Sequence, residues 1–236
     1  MENHFEMGLD ALRQKILLMA SRAETAVNES VQALVQRDFD LAVRVRKDDE
    51  IIDRFEIEID EMAIVLLTKA PLATNLRLIT VAMKVSQNLE RIGDEATKIA
   101  KRARDLAQEP PVKINFDVNR MAGMSLAMVK DALDAFVQRD SAAARAIIPR
   151  DKEVDALNKQ IHEILAKHMV ANPDTIGRCL NWMVASKSLE RIADHAKNVA
   201  EEVVYLYEAQ DIRHTGVKSG EKAAPPDAGP RENIER

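Results

Sequence analysis

Glycine, proline, cysteine and aromatic residues are all scarce in this chain, and each shortage closes off a class of protein. Only 7 glycines and 8 prolines punctuate 236 residues. With so few breakers, and with Ala, Leu, Ile, Val, Met, Glu, Lys and Arg dominating, the composition favours long helices. The body of the chain holds only the isolated Gly8, Gly93, Gly123 and Gly177. A glycine-rich phosphate loop cannot be assembled from them, which argues against direct nucleotide binding. The single cysteine, Cys179, rules out an intramolecular disulfide and reads as a small buried hydrophobe in "IGRCLNWM". Neither charge sign dominates: 34 basic and 39 acidic residues give a net charge of −5. That balance leaves no basic face for nucleic acid or an anionic membrane. No apolar run approaches the ~18 residues a membrane span requires, and "MENHFEMGLD" lacks the basic and apolar regions of a signal peptide. The expectation is a soluble cytoplasmic protein.

What is present is helical periodicity. Breaks near Asp38 to Asp40, at Ala70-Pro71, at Pro110-Pro111, near Asp140 and at Asn172-Pro173 divide the chain into six segments, roughly 4–36, 40–69, 73–108, 115–138, 141–170 and 174–211. In the third, Leu78, Ala82, Val85, Leu89, Ile92, Ala96, Ile99, Ala103 and Leu106 alternate spacings of four and three, a heptad seam. The sixth repeats it with Ala185, Leu189, Ile192, Ala196, Val199, Val203 and Leu206.

The chain also repeats itself. "NLERIGDEATKIA" at 88–100 returns as "SLERIADHAKNVA" at 188–200, and Val35-Gln-Arg-Asp38 returns as Val137-Gln-Arg-Asp140. Asp49-x-x-x-Asp53 returns as Asp151-x-x-x-Asp155. The simplest organisation is all-α: two tandem three-helix bundles related by an internal repeat, six long helices in all. The expected boundaries are 1–109 for the first bundle, 110–213 for the second and 214–236 for a disordered tail, which holds three of the glycines and three of the prolines. Pro149 stands where the first copy has Lys47, and predicts a kink or late helix start in the fifth segment.

The repeated motif carries carboxylates. On a helix, residues i and i+4 share a face about 6 Å apart, so Asp49 with Asp53, Glu90 with Asp94, Asp151 with Asp155, and Glu190 with Asp194 form four pairs. The heptad register turns them away from the seam, which predicts surface positions. Four carboxylates across one groove suit a hard cation such as Mg, Mn, Ca or iron. A solvated charged face is the better account of any one pair taken alone, and Arg91 and Arg191 recur as partners for neutralisation. Duplication of the acidic positions adds weight to the cation. The five histidines show neither His-Glu-x-x-His nor Glu-x-x-His spacing. His195 beside Asp194 is a further candidate ligand, for the second copy only.

In combination, "LERIGD" and "LERIAD", "LVQRDFDLA", "PLATNLRLI" and the ending "AEEVVYLYEAQDIRH" resemble the PhoU family of phosphate-transport regulators, over about residues 2–214. The resemblance implies two three-helix bundles in pseudo-twofold relation. It also implies multinuclear metal clusters, of iron or zinc in some members and Mg or Mn in others, held on the bundle surface. Carried onto this sequence, the ligands would be Asp49, Asp53, Glu90 and Asp94, then Asp151, Asp155, Glu190 and Asp194. The implied role is negative regulation of phosphate uptake and of the phosphate-starvation response. The chain would act as an adaptor between the ATPase of the phosphate ABC transporter and a phosphate-sensing histidine kinase.

No nucleophile, base and oxyanion constellation is present, so a non-enzymatic adaptor is expected, with exposed apolar helix faces consistent with a homodimer. The alternative is a carboxylate-bridged metalloenzyme, a phosphohydrolase or oxidase. Ligands facing the surface cannot exclude water, which weighs against it.

Overall fold

The computed structural model describes residues 2–69 and 72–213; the Ala70-Pro71 break and the expected tail at 214–236 lie outside the described residues. Among the described residues the chain is helical without strands: α1 (Glu2–Gln36), α2 (Phe39–Leu67), α3 (Ala73–Ala107), α4 (Val118–Gln138), α5 (Ser141–Ile147), α6 (Asp151–Ala171) and α7 (Ile176–Glu208). At 1.5 Å per residue the 35-residue α1 and α3 are about 50 Å long. The six expected segments are present. The fifth divides at Pro149, where a 3₁₀ turn, Ile148–Arg150, separates α5 from α6. The proline supplies no N–H to the ladder, so the helix yields there.

The recurring Val-Gln-Arg-Asp is a corner, made twice. Arg37 and Arg139 sit in the left-handed region at φ 58° and 60°, and the following Asp38 and Asp140 donate their N–H groups back to Ala33 O and Ala135 O at 3.0 Å. Each aspartate then caps the next helix, Asp38 accepting from Leu41 N and Asp140 from Ala143 N at 2.9 Å. The two corners differ in one respect. The Arg37 guanidinium also donates to Leu106 O in the last turn of α3 and to Glu109 O in the inter-repeat linker. Arg139→Gly is therefore expected to stabilise by about 0.5–1 kcal/mol through release of left-handed strain. Arg37→Gly loses the linker hydrogen bonds and should show no gain in the same urea titration.

Helices α1, α2 and α3 pack together as one bundle, α4, α5, α6 and α7 as the other, and α3 lies against α7 between them. All nine seam residues of α3 and all seven of α7 are buried. Both helices bury a second stripe as well, including Val81 and Glu95 on α3 and Ser188 and Glu202 on α7. That stripe is the contact between the repeats, and a single apolar core runs through both bundles.

Polar partners fix the direction of this contact. Lys84 meets Glu202 at 3.1 Å, Asn88 meets His195 at 3.0 Å, Glu95 meets Arg191 at 3.3 Å and Arg102 meets Asn181 at 3.2 Å. Partners fall along α7 as they rise along α3, so the helices are antiparallel. The pairing centres near Ile92 and Gly93 on one side and Ile192 and Ala193 on the other, the same positions of the two repeats. An approximate twofold axis therefore passes through the repeated motif. Both carboxylate sets lie at the middle of the molecule.

Candidate functional site

Each set is built on a pair of helices. On α2, Val45, Ile52, Ile59 and Leu66 recur every seven residues and are buried, which fixes the rotation of the helix about its axis. The neighbouring stripe at spacings of four, three and four is Asp49, Asp53, Glu56 and Asp60. Across from it, Leu89 and Ile92 anchor α3 and leave Glu90 and Asp94 half-buried beside the groove. Gly93 sits at the closest approach. A Cβ on it would lie 2.8 Å from Ile52 Cδ1 and 3.3 Å from Asp49 Oδ1. Its missing side chain lets α2 come near enough for the two sets of acids to face each other.

Their electrostatics follow from that crowding. Burial, then the nearby Asp94 with Glu56 and Asp53 behind it, pushes the Glu90 carboxyl up to about 6, with Arg91 opposing. Asp49 is raised by burial and by Asp53 and Asp94, against a hydrogen bond from Thr97 and the charge of Lys98. Glu56 is raised by burial and by Asp60, Asp53 and Asp94, with Arg91 opposing. Arg91 is the cation paired with this set's α3 acids, and it is 54% exposed, 3.4 Å from Glu90 Oε2 and 3.5 Å from Asp94 Oδ2. Solvent screens contacts of that length and exposure. A raised carboxyl contributes stability below its unfolded pKa, and the contribution is lost as pH rises through the folded value. Glu90→Gln should therefore stabilise the chain in chelator at pH 7 by about 0.5–1 kcal/mol, fading below pH 4.5. Urea unfolding at both pH values measures this.

The second set has a different neighbourhood. Asp151 and Asp155 come from α6, Glu190 and Asp194 from α7. Burial raises Asp155 and Asp194 and the charge of Asp151 adds to both, with Glu190 contributing to each. Lys197 Nζ lies 2.7 Å from Asp151 Oδ2 and 3.7 Å from Asp194 Oδ1, and Lys187 Nζ is 2.6 Å from Glu190 Oε1. Burial disfavours the Lys197 charge, but the hydrogen bond and the charge of Asp151 outweigh it and raise the ammonium pKa. The expected surface placement fails for Asp151, which is 6% exposed. It opens α6 directly after the 3₁₀ turn, against α7, and its ion pair with Lys197 makes that burial tolerable.

His195 faces the partner helix: its ring Nδ1 is 3.0 Å from Asn88 Oδ1 of α3. Burial lowers its pKa; Glu95 opposes this, while Arg91, Lys98 and Arg191 add to it. Arg191 is drawn across to Glu95, leaving the second set to the lysines. Burial opposes ionisation of Glu95, but hydrogen bonds from Lys98 and Ser188 and the charges of Lys98 and Arg191 outweigh it and keep the carboxyl below its usual range. Cys179 is buried, its thiol donating to Thr175 Oγ1 at 3.6 Å.

Sequence reasoning named the eight acids and missed four neighbours. Glu56 and Asp60 were findable from the continuing four-three-four spacing after Asp53. Lys187 and Lys197 were findable as residues three before Glu190 and three after Asp194 that replace Gln87 and Thr97 of the first repeat. Among the described residues, no group of His, Cys, Asp or Glu side chains converges closely enough to hold an ion as it stands. The first set still fits a hard cation by chemistry, because its donors are oxygens, three of them have raised pKa values, and its arginine is screened.

Comparison with known proteins gives a match to the PhoU domain at residues 16–103 and again at 118–203. The chain belongs to the PhoU family. A PhoU homolog from Pseudomonas putida, named a phosphate-specific transport system accessory protein, is 40% identical over 91% of this chain and 84% of its own length. The Escherichia coli K12 PhoU, also named as such an accessory protein, is 32% identical over 90% of this chain and 88% of its own. The crystal structure of PhoU from Pseudomonas aeruginosa superposes with a TM-score of 0.84 at 39% identity, covering 87% of this chain and all of that one. A PhoU from Streptococcus pneumoniae, described as a phosphate transport system regulatory protein, shares the fold at a TM-score of 0.79 and 24% identity. The PhoU domain is matched twice, as the chain's internal repeat is.

Proposed function

We propose that this PhoU-family chain is an accessory regulator of phosphate transport. In our reading it is a cytoplasmic adaptor that restrains the phosphate ABC transporter through its ATPase and holds back a phosphate-sensing histidine kinase when phosphate is plentiful. The observation that carries the reading is similarity to transport-system accessory proteins over nine-tenths of the chain, spanning both repeats. Two further features support it. The relatives are named as accessory and regulatory proteins, and no helix among the described residues is long and apolar enough to cross a membrane. Exposed Leu18, Ile57, Ile64 and Val65 offer apolar surface for a partner or a second copy of the chain.

Metal belongs to the proposal as a structural element. Asp49, Asp53, Glu90 and Asp94, with Glu56 beside them, are the residues that would hold Mg, Mn, iron or zinc in the first repeat. The cation would supply charge neutralisation and draw α2 onto α3; the chain's own residues set its place.

An adaptor shifts its partner only by its differential affinity for that partner's states. The test is a pulldown of the transporter ATPase and the kinase from cells grown with abundant and with limiting phosphate. Retention is expected to be at least about fivefold greater in abundance, the low end of coupling energies between sites. Equal retention in both conditions would sink the regulatory reading.

A further inference from the structure

The two repeats share four acidic positions and diverge around them. Where the first has Gln87 and Thr97, the second has Lys187 and Lys197; where the first has Glu56 and Asp60, the second has Asn158 and His162. The first set thus gathers six carboxylates around the screened Arg91, while Lys98 nearby is held by Glu95 at 2.9 Å. The second gathers four around two lysines. Lys197 Nζ sits between Asp151 Oδ2 at 2.7 Å and Asp194 Oδ1 at 3.7 Å, joining α6 to α7. Lys187 Nζ takes Glu190 Oε1 at 2.6 Å, and the Asn158 amide donates to the other oxygen of the same carboxylate. His162 turns its Nε2 to Met183 O and Ser186 Oγ, at 3.2 and 3.1 Å.

We infer that the second repeat carries its own counter-ion: Lys197, helped by Lys187, holds the place a bridging cation would take, and Asp151, Asp155, Glu190 and Asp194 do not bind metal in this chain. A covalently tethered ammonium is already at full effective concentration beside its carboxylates. A metal would have to displace two of them, and the ammonium groups left behind would repel it. The residues therefore do not fit the metal that the family resemblance assigns to this half. The metal reading narrows to the first repeat.

The donors beneath the lysines remain suited to an ion. Asp151 and Asn158 are 6% and 7% exposed, and Asp151 Oδ1 and Asn158 Oδ1 have no hydrogen-bond partner among the described residues. Removing the lysines should convert this half into a cation site.

The experiment is run on full-length protein in which the first set is disarmed by Asp49→Asn, Asp53→Asn, Glu90→Ala and Asp94→Ala, so its result does not depend on whether the first set binds metal. Manganese binding is read by electron paramagnetic resonance of free Mn2+, and thermal unfolding is followed in chelator and in MnCl2. This protein is expected to bind no Mn2+ and to unfold at the same temperature in both. Replacing the lysines by their first-repeat counterparts, Lys187→Gln with Lys197→Thr, should lower the midpoint in chelator, restore it with Mn2+ and add about one bound ion per chain. Lys197→Arg, which keeps the charge, should gain none. Mn2+ binding with both lysines in place overturns the inference, and so does a lysine-replaced protein that folds without gaining Mn2+. If the replaced protein does not fold, the intact-lysine arm decides: no Mn2+ bound upholds the inference, and Mn2+ bound overturns it.

Discussion

Gly93→Val should destabilise the chain by about 2–3 kcal/mol, the largest single-residue effect predicted for the α2–α3 contact. Valine's Cβ would fall 2.8 Å from Ile52 Cδ1 and 3.3 Å from Asp49 Oδ1, with two methyl groups still to place beyond it. Ile52 is 2% exposed and packed, so it has little room to turn aside. A β-branched side chain in a helix also has one favoured rotamer, which stops it from swinging away. Gly93→Ala is a weaker case: its helix propensity gains about 1 kcal/mol over glycine, which offsets most of the smaller overlap. Gly123 supplies the control, because a Cβ there meets nothing within 4 Å. Gly123→Ala should stabilise by about 1 kcal/mol on propensity alone. Urea titrations of the three variants measure all of this. If Gly93→Val unfolds at the same midpoint as Gly93→Ala, the close approach of α2 to α3 at Gly93 is wrong.

The sequence made that contact only half visible. Nine seam residues at four-three spacing declared α3 a helix with one buried face, and burial of every one agrees. Periodicity reports one face at a time, however. The second stripe of α3, through Val81, Asn88, Glu95 and Arg102, is mostly polar, because it meets the other repeat across an approximate twofold axis. Glu95 lies outside the heptad seam and is nevertheless 4% exposed in the fold. Its charge is tolerated through Lys98 of its own helix and Arg191 of the other repeat. The second partner is 96 residues distant in the chain, beyond the reach of local pattern.

For the carboxylates, spacing placed Asp49, Asp53, Glu90 and Asp94 together and Asp151, Asp155, Glu190 and Asp194 together. What spacing could not give was their degree of burial. The heptad register assigns a direction around each helix, but whether an outward position meets water depends on how closely the neighbouring helix lies. Gly93 and the turn at Pro149 decide that for Asp49 and Asp151 respectively. The repeated Val-Gln-Arg-Asp serves the corner in both copies. Its left-handed arginine and capping aspartate are needed wherever a long helix reverses into the next.

Addition of Mn2+ to about a hundredfold above its dissociation constant should stabilise the parent chain by about 2.7 kcal/mol, since an ion that binds only the folded state shifts unfolding by mass action. For a chain of this size that corresponds to roughly 5–10 °C in Tm. The effect should vanish in Glu90→Ala/Asp94→Ala and persist in Glu190→Ala/Asp194→Ala, whose acids already have lysine partners. It should also weaken as pH falls through about 6, where Glu90 takes up the proton that competes with the cation. In chelator the same titration runs the other way: the protonated Glu90 is the more stable form, so the parent gains stability on acidification from pH 7 toward pH 5. These opposite slopes separate a cation site from a solvated acidic face, which would show the chelator slope alone whether or not Mn2+ is present. A parent protein whose midpoint is indifferent to Mn2+ at pH 7 would leave the first set as such a face, and its purpose would then lie in the partner it docks.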